Sequence, residues 1–160
     1  MSINIINADL RNPRHASALL DLLNHYASGS EGGGRPLSDY TRQHLIQRLQ
    51  QRGDTLVILA WDGDKPVGLI IGFEGFSTFM CKPLLNIHDV VVLENYRGQG
   101  IAQQMLAAAE TMALLRGCCK ITLEVLSNNA PAQAAYRKAG FAAYELDPGM
   151  GQALFWEKKL

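Results

Sequence analysis

The sequence predicts an α/β (α+β) domain in which a sheet is covered by helices on both faces. Three observations predict it. Short apolar runs bounded by turn residues alternate with segments of helical period along the whole chain. One such run, Val90-Val91-Val92-Leu93, passes through the glycine turn Gly98-Gln99-Gly100 directly into a helical pattern that begins at Ile101. A length of 160 residues with 48% hydrophobic content suits one domain, 1–160, with a single core.

The elements follow in order. Ile3-Asn4-Ile5-Ile6 reads as a strand. Asn12-Pro13 starts a helix, with the proline in the first turn, and Leu19, Leu22, Leu23 and Tyr26 fall on one face of it. Residues 28–36 are rich in glycine and serine and read as a flexible loop. Ser38 caps a second helix carrying Leu45, Ile46 and Leu49. Thr55–Trp61 and Val67–Phe73 are strands joined by the hairpin turn Asp62-Gly63-Asp64.

Leu84–Leu93 is a longer strand that leads into the glycine loop. The next helix shows Ile101, Met105, Ala109 and Met112 at helical spacing and ends at Arg116-Gly117. Ile121–Leu126 is a strand, and Asn129 caps a short helix running to Gly140. Phe141–Leu146 and Gln152–Glu157 are expected to pair as closing strands.

Composition narrows the function. Lysine plus arginine balance aspartate plus glutamate at 15 each, so no basic excess exists to bind nucleic acid or an anionic membrane non-specifically. No apolar run is long enough to span a bilayer, and Met1-Ser2-Ile3-Asn4-Ile5 does not open a signal peptide. A cytoplasmic protein is expected. Cys81, Cys118 and Cys119 are odd in number and two are adjacent, which argues against a disulfide framework; Cys118 and Cys119 read as small apolar residues entering a buried strand. No His/Cys/Asp/Glu cluster has metal-ligand spacing, so no metal is expected.

The glycine loop carries the chemistry. A strand–glycine–helix transition aims unpaired N–H groups and the positive end of a helix dipole at one point, which suits phosphate. The loop lacks the Gly-Lys-Ser/Thr ending of a P-loop. Gln103 stands where a Gly-x-Gly-x-x-Gly dinucleotide fingerprint needs its third glycine. What fits is Arg-x-x-Gly-x-Ala, over Arg97-Gly98-Gln99-Gly100-Ile101-Ala102.

With Ile87-His88-Asp89-Val90-Val91-Val92-Leu93 before it and Asn129-Ala130-Pro131-Ala132-Gln133-Ala134-Ala135-Tyr136-Arg137-Lys138-Ala139-Gly140-Phe141 after it, the chain resembles the GCN5-related N-acetyltransferases (GNAT). The resemblance covers nearly the whole chain. It implies a mixed, mostly antiparallel sheet of about seven strands. It also implies a splay between the fourth and fifth strands, 84–93 and 121–126. The implied reaction is acetyl transfer from acetyl-CoA to an amine by direct attack in a ternary complex, with coenzyme A as product. A primary amine on a small molecule is the expected acceptor. A peptide or protein amine is the second reading, and a non-catalytic acyl-CoA-binding module the rival from another class. Dimers are common in the family, which brings in a homodimer as the assembly.

Residue by residue, the resemblance implies a pyrophosphate grip from Arg97, Gly98, Gln99, Gly100, Ile101, Ala102 and Gln103, with Arg97 adding charge. It places the pantetheine arm on the main chain of Val90 and Val92, with Asn129 also touching the arm. Tyr136 is the expected general acid for the leaving thiolate. The plainer readings are a surface arginine, a helix cap and a packed aromatic. His88 is the expected general base, because imidazole titrates near neutrality, and it is expected to share strand parity with Val90 and Val92. Asp89, Glu74 and Glu124 are alternatives acting through water.

A narrower resemblance, in Phe76-Ser77-Thr78-Phe79, Lys82-Pro83-Leu84 and Asp89, is to polyamine acetyltransferases. His88 stands where those enzymes usually carry a glutamate, so spermine and spermidine are expected to be poor acceptors.

Overall fold

A computed structural model describes residues 2–160. They form two compact units, one ending at Leu123 and the other running from Glu124 to Leu160. The first unit holds β1 (Ile3–Asn7), α1 (Pro13–Ser28), α2 (Asp39–Gln50), β2 (Thr55–Asp62), β3 (Lys65–Ser77), β4 (Lys82–Val92), α3 (Ile101–Leu115) and β5 (Ile121–Leu123). The second holds α4 (Ala130–Lys138) and a 3₁₀ turn, Pro148–Met150.

The sheet runs in the order β1-β2-β3-β4-β5. Every pairing is antiparallel except β4 with β5, which is parallel. β2 and β3 read as continuous apolar runs because both of their faces are covered. On one face Leu19 and Leu22 of α1 and Leu49 of α2 pack against Val57, Leu59, Trp61, Leu69, Ile71 and Val91. On the other, α3 lies against β2 and β3, close enough that a Cβ on Gly68 would stand 2.9 Å from the Met105 sulfur. Burial of each such leucine, isoleucine or methionine is worth about 1.5–3 kcal/mol.

Local signals set the helix ends. The Asn12 side chain accepts from the Arg14 N–H at 2.9 Å with Pro13 at the first helical position, and Ser38 Oγ accepts from the Thr41 N–H at 3.1 Å. α3 stops at Arg116, followed by Gly117 with φ 75°.

Two expectations change. The 28–36 segment folds back on the last turn of α1: Gly34 N–H donates to Gly29 O at 2.9 Å and Arg35 N–H to Ala27 O at 3.1 Å. The fit requires glycine at 32, where a Cβ would lie 2.1 Å from the Tyr26 carbonyl oxygen. The sheet has five strands among the described residues rather than about seven. β5 stops at Leu123, and the segments 141–146 and 152–157, which meet through a backbone hydrogen bond from Ala153 N–H to Tyr144 O at 3.0 Å, are not strands. Asp147-Pro148-Gly149 between them is spent on a 3₁₀ turn capped by the Asp147 carboxylate on the Gly149 N–H. A proline without a donor and a turn of that kind leave little length for pairing.

Candidate acetyl-CoA and acceptor site

The site is built around the second half of β4. β5 pairs with β4 only from Leu85 to Ile87, whereas β4 continues to Val92. Beyond Ile87 the β5-side edge of β4 therefore has no strand partner among the described residues, which is the splay expected from the sequence.

Which peptide groups face that edge follows from the ladder. Leu93 N–H donates to Val67 O at 3.0 Å, so Leu93 is a hydrogen-bonded position toward β3. Antiparallel pairing alternates, and Val92 and Val90, opposite Gly68 and Ile70, are the intervening positions whose N–H and C=O groups turn away from β3. On the other side of the register shift the odd residue faces β5, since Leu85 N–H donates to Lys120 O at 3.1 Å.

His88 causes the change. Ile87 opposes Gly72 and Asp89 opposes Ile71, which leaves His88 as the extra residue of a bulge. The bulge reverses the parity of the strand. The expected common parity of His88 with Val90 and Val92 is therefore incorrect. His88 is exposed and meets Phe73 edge-on, with ring centroids 5.7 Å apart and planes at 68°. Phe73 belongs to the face covered by α1 and α2, whereas Val92 sits opposite Gly68 on the α3 face.

Asp89 is half-buried on the α1 face with His88 as its neighbour. Burial pushes its carboxyl above the usual carboxylate range, and the charge of His88 draws it part of the way back. Tyr26, at the end of α1, is raised by burial and then by the negative charges of Asp89 and Glu31. Tyr26, Glu31, His88 and Asp89 thus share one electrostatic neighbourhood. The sequence places Tyr26 only on a core face; its position at the end of that face, beside the glycine loop 32–34, is the signal that could have found it. Glu74, a candidate base, is instead ion-paired to Arg116 Nη1 at 3.1 Å on the α3 side.

A raised folded-state pKa favours the protonated form, so that contribution to stability is full below the ordinary carboxylate value and is lost as pH rises through the raised one. Asp89→Asn is therefore expected to melt higher than the wild type at neutral pH. The gap should close in acid, below the ordinary carboxylate range. Thermal melts across that range check it, and a gap that does not depend on pH would contradict it.

β4 leads through the 3₁₀ turn Glu94–Tyr96 into the glycine loop. Gly98 and Gly100 adopt left-handed φ values of 74° and 77°. Gly100 is the N-cap of α3 and supplies no side-chain cap, so the first-turn N–H groups of Ile101 and Ala102 emerge as unpaired helix-start donors, with Gln103 next in the same turn. A Cβ on Gly98 or Gly100 would meet no protein atom within 4 Å. Two side chains strap the turn: Arg97 Nε donates to Val92 O at 3.1 Å, and Gln99 Nε2 to Asn95 O at 3.0 Å. The structure thus joins Val90, Val92 and the loop 97–103 as one strand edge running into one helix start.

In the second unit, Asn129 caps α4 by accepting from the Ala132 N–H at 3.2 Å. Gln133 secures the approach to that helix through Leu126 O and Ser127 O at 3.0 and 2.8 Å. Tyr136 packs edge-on to Phe141, with centroids 6.0 Å apart. Cys81, Cys118 and Cys119 are free thiols, and burial raises Cys118. Among the described residues no group of three or more His, Cys, Asp or Glu could hold a metal ion, and no helix is long and apolar enough to cross a membrane.

A streptothricin acetyltransferase of Streptomyces lavendulae is 37% identical over 98 residues, which cover 61% of this chain and 49% of that protein, so the chain spans about half the length of this relative. A streptothricin acetyltransferase of Escherichia coli is 30% identical over 146 residues, covering 84% of this chain and 80% of that protein. The solved structure of AAC(6′)-Iy in complex with the bisubstrate analog CoA-S-monomethyl-acetylneamine superposes with a TM-score of 0.78 at 17% identity and full coverage of both chains, which shows the shared fold. The sequence model of the acetyltransferase (GNAT) family matches residues 10–141, and the chain belongs to that family.

Proposed function

We propose that this chain transfers the acetyl group of acetyl-CoA to a primary amine on a small molecule. The observation that carries the reading is the junction of the open β4 edge at Val90 and Val92 with the unpaired helix-start donors after Gly100. The donors suit a pyrophosphate, and the edge suits the amide-bearing pantetheine arm as a pseudo-strand. The family match spans parts of both compact units, which supports reading 1–160 as one functional domain.

In the proposed reaction the amine nitrogen attacks the thioester carbonyl carbon. A C–N bond forms, the C–S bond breaks, and the amine loses a proton. An N–H of the β4 edge stabilises the oxygen as it gains charge. His88 and Asp89, at the bulge on the α1 face, are the groups proposed to take the amine proton, directly or through water. Tyr136 is proposed to protonate the departing thiolate. The carboxylates of Glu31 and Asp89, whose charges push the Tyr26 phenol up, give the acceptor side a negative field suited to a cationic amine.

The names of the two streptothricin acetyltransferases support a small-molecule acceptor. The test is kcat/KM at saturating acetyl-CoA for streptothricin, an aminoglycoside, spermidine and peptides with free N-termini. A small-molecule antibiotic amine is expected to exceed the peptides by about tenfold or more, a difference of about 1.4 kcal/mol in transition-state binding. Spermidine is expected to be poor. Preference for a peptide would overturn the acceptor class.

A further inference from the structure

Arg97 does something in this structure that its charge does not require. Its Nε–H donates to the carbonyl oxygen of Val92 at 3.1 Å. Val92 is one of the two residues whose peptide groups turn to the open edge of β4. The chain between the two residues is already folded tightly: Tyr96 N–H donates to Leu93 O at 2.9 Å and Arg97 N–H to Glu94 O at 3.1 Å. The Arg97 side chain closes that turn against the strand end, and Gln99 closes it again through Asn95 O. Beyond it, Gly98 and Gly100 have no side chains and open surroundings, so they contribute no restraint of their own.

We propose that Arg97 is a positioning residue: its Nε–H ties the glycine loop to the β4 edge and so fixes the distance between the pyrophosphate donors and the peptide groups that pair with the pantetheine arm. The inference rests on the acetyl-CoA reading above and replaces the expected role of Arg97 as a charge on the pyrophosphate. Nothing in the tie blocks the arm, because a carbonyl oxygen has two lone pairs and accepts a ligand N–H beside the guanidinium.

A ligand that uses both halves of the site should feel the tie more than one that uses a single half. Coenzyme A spans both, and 3′-phospho-ADP presents the pyrophosphate without the arm. Glutamine separates the roles, since its Nε2 stands the same number of bonds from the backbone as arginine Nε and carries no charge. Lysine keeps the charge on a longer, differently aimed donor.

Calorimetric titration of Arg97→Ala, Arg97→Gln and Arg97→Lys with both ligands, at low and high salt, tests the proposal. Arg97→Ala is expected to weaken coenzyme A by about tenfold and 3′-phospho-ADP by no more than about threefold, with little change in salt dependence. Arg97→Gln should restore most of the lost coenzyme A affinity, and Arg97→Lys should restore less. Equal losses for both ligands, relieved by lysine and shrinking at high salt, would overturn the tie in favour of direct charge. If Arg97→Ala fails to fold, the order of Gln and Lys alone decides. Wild-type protein that binds neither ligand would overturn the acetyl-CoA reading itself, an outcome distinct from any ranking of the variants.

Discussion

Gly100→Trp is expected to abolish coenzyme A binding in a protein that remains folded. Gly100 is the N-cap of α3 with φ 77°, and the direction of its missing Cβ is open for at least 4 Å. A Cβ there is met by no atom beyond its chain neighbours, and a large side chain at the N-cap is expected to occupy the space in front of the helix-start donors. Two effects follow. The left-handed backbone costs a non-glycine residue roughly 1–2 kcal/mol, which lowers stability without unfolding a domain of ordinary stability. The indole ring also shields the Ile101, Ala102 and Gln103 N–H groups from any phosphate. The affinity loss should exceed about a hundredfold, equivalent to about 2.7 kcal/mol. Gly100→Asn separates the two effects, because asparagine tolerates the left-handed region and is much smaller. It should bind coenzyme A better than Gly100→Trp. Undiminished coenzyme A affinity in folded Gly100→Trp would remove the glycine loop from the binding site.

Tyr136→Phe is expected to lower turnover far more than it lowers acetyl-CoA affinity. The phenol is proposed to act on the thiolate as it departs, so its effect belongs to the transition state. General-acid catalysis contributes on the order of 10²–10⁴-fold. The ring itself packs edge-on to Phe141 at 6.0 Å, and phenylalanine preserves that contact, so the change should leave α4 intact. Pre-steady-state acetyl transfer, measured where chemistry limits the rate, reads the effect directly. Turnover equal to the wild type would return Tyr136 to the role of a packed aromatic.

What the sequence made legible, and what it did not, divides along the range of the forces involved. The caps at Asn12, Ser38 and Asn129 and the stop at Gly117 were readable because each is a bond or a dihedral within a few residues. The glycine loop was readable for the same reason: residues 97–102 carry its whole geometry.

The bulge at His88 was not. Val90-Val91-Val92 is uniformly apolar, so no alternation marks which residue faces which side, and the extra residue appears only when β4 is laid against β3. The parity of the proposed base went wrong with it. The glycines of the 28–36 loop look permissive in isolation, and the sequence does not show that Gly32 is required by close approach to the Tyr26 carbonyl. The cluster of Tyr26 with Glu31 and Asp89 was hidden too, since only tertiary packing brings the end of α1 to the bulge. The closing strands differ for a related reason: Phe141–Leu146 and Gln152–Glu157 carry strand-like composition, but a strand is defined by its ladder, and neither segment forms one.

The central claim is that the chain is an amine acetyltransferase and not an acyl-CoA-binding module. Mass spectrometry of reactions containing the protein, acetyl-CoA and the amine panel tests it most directly. The account predicts N-acetylated amine accumulating in step with free coenzyme A over many turnovers, no acetylated enzyme when amine is omitted, and no product with Gly100→Trp. Protein that binds acetyl-CoA tightly yet acetylates no amine in the panel would contradict it.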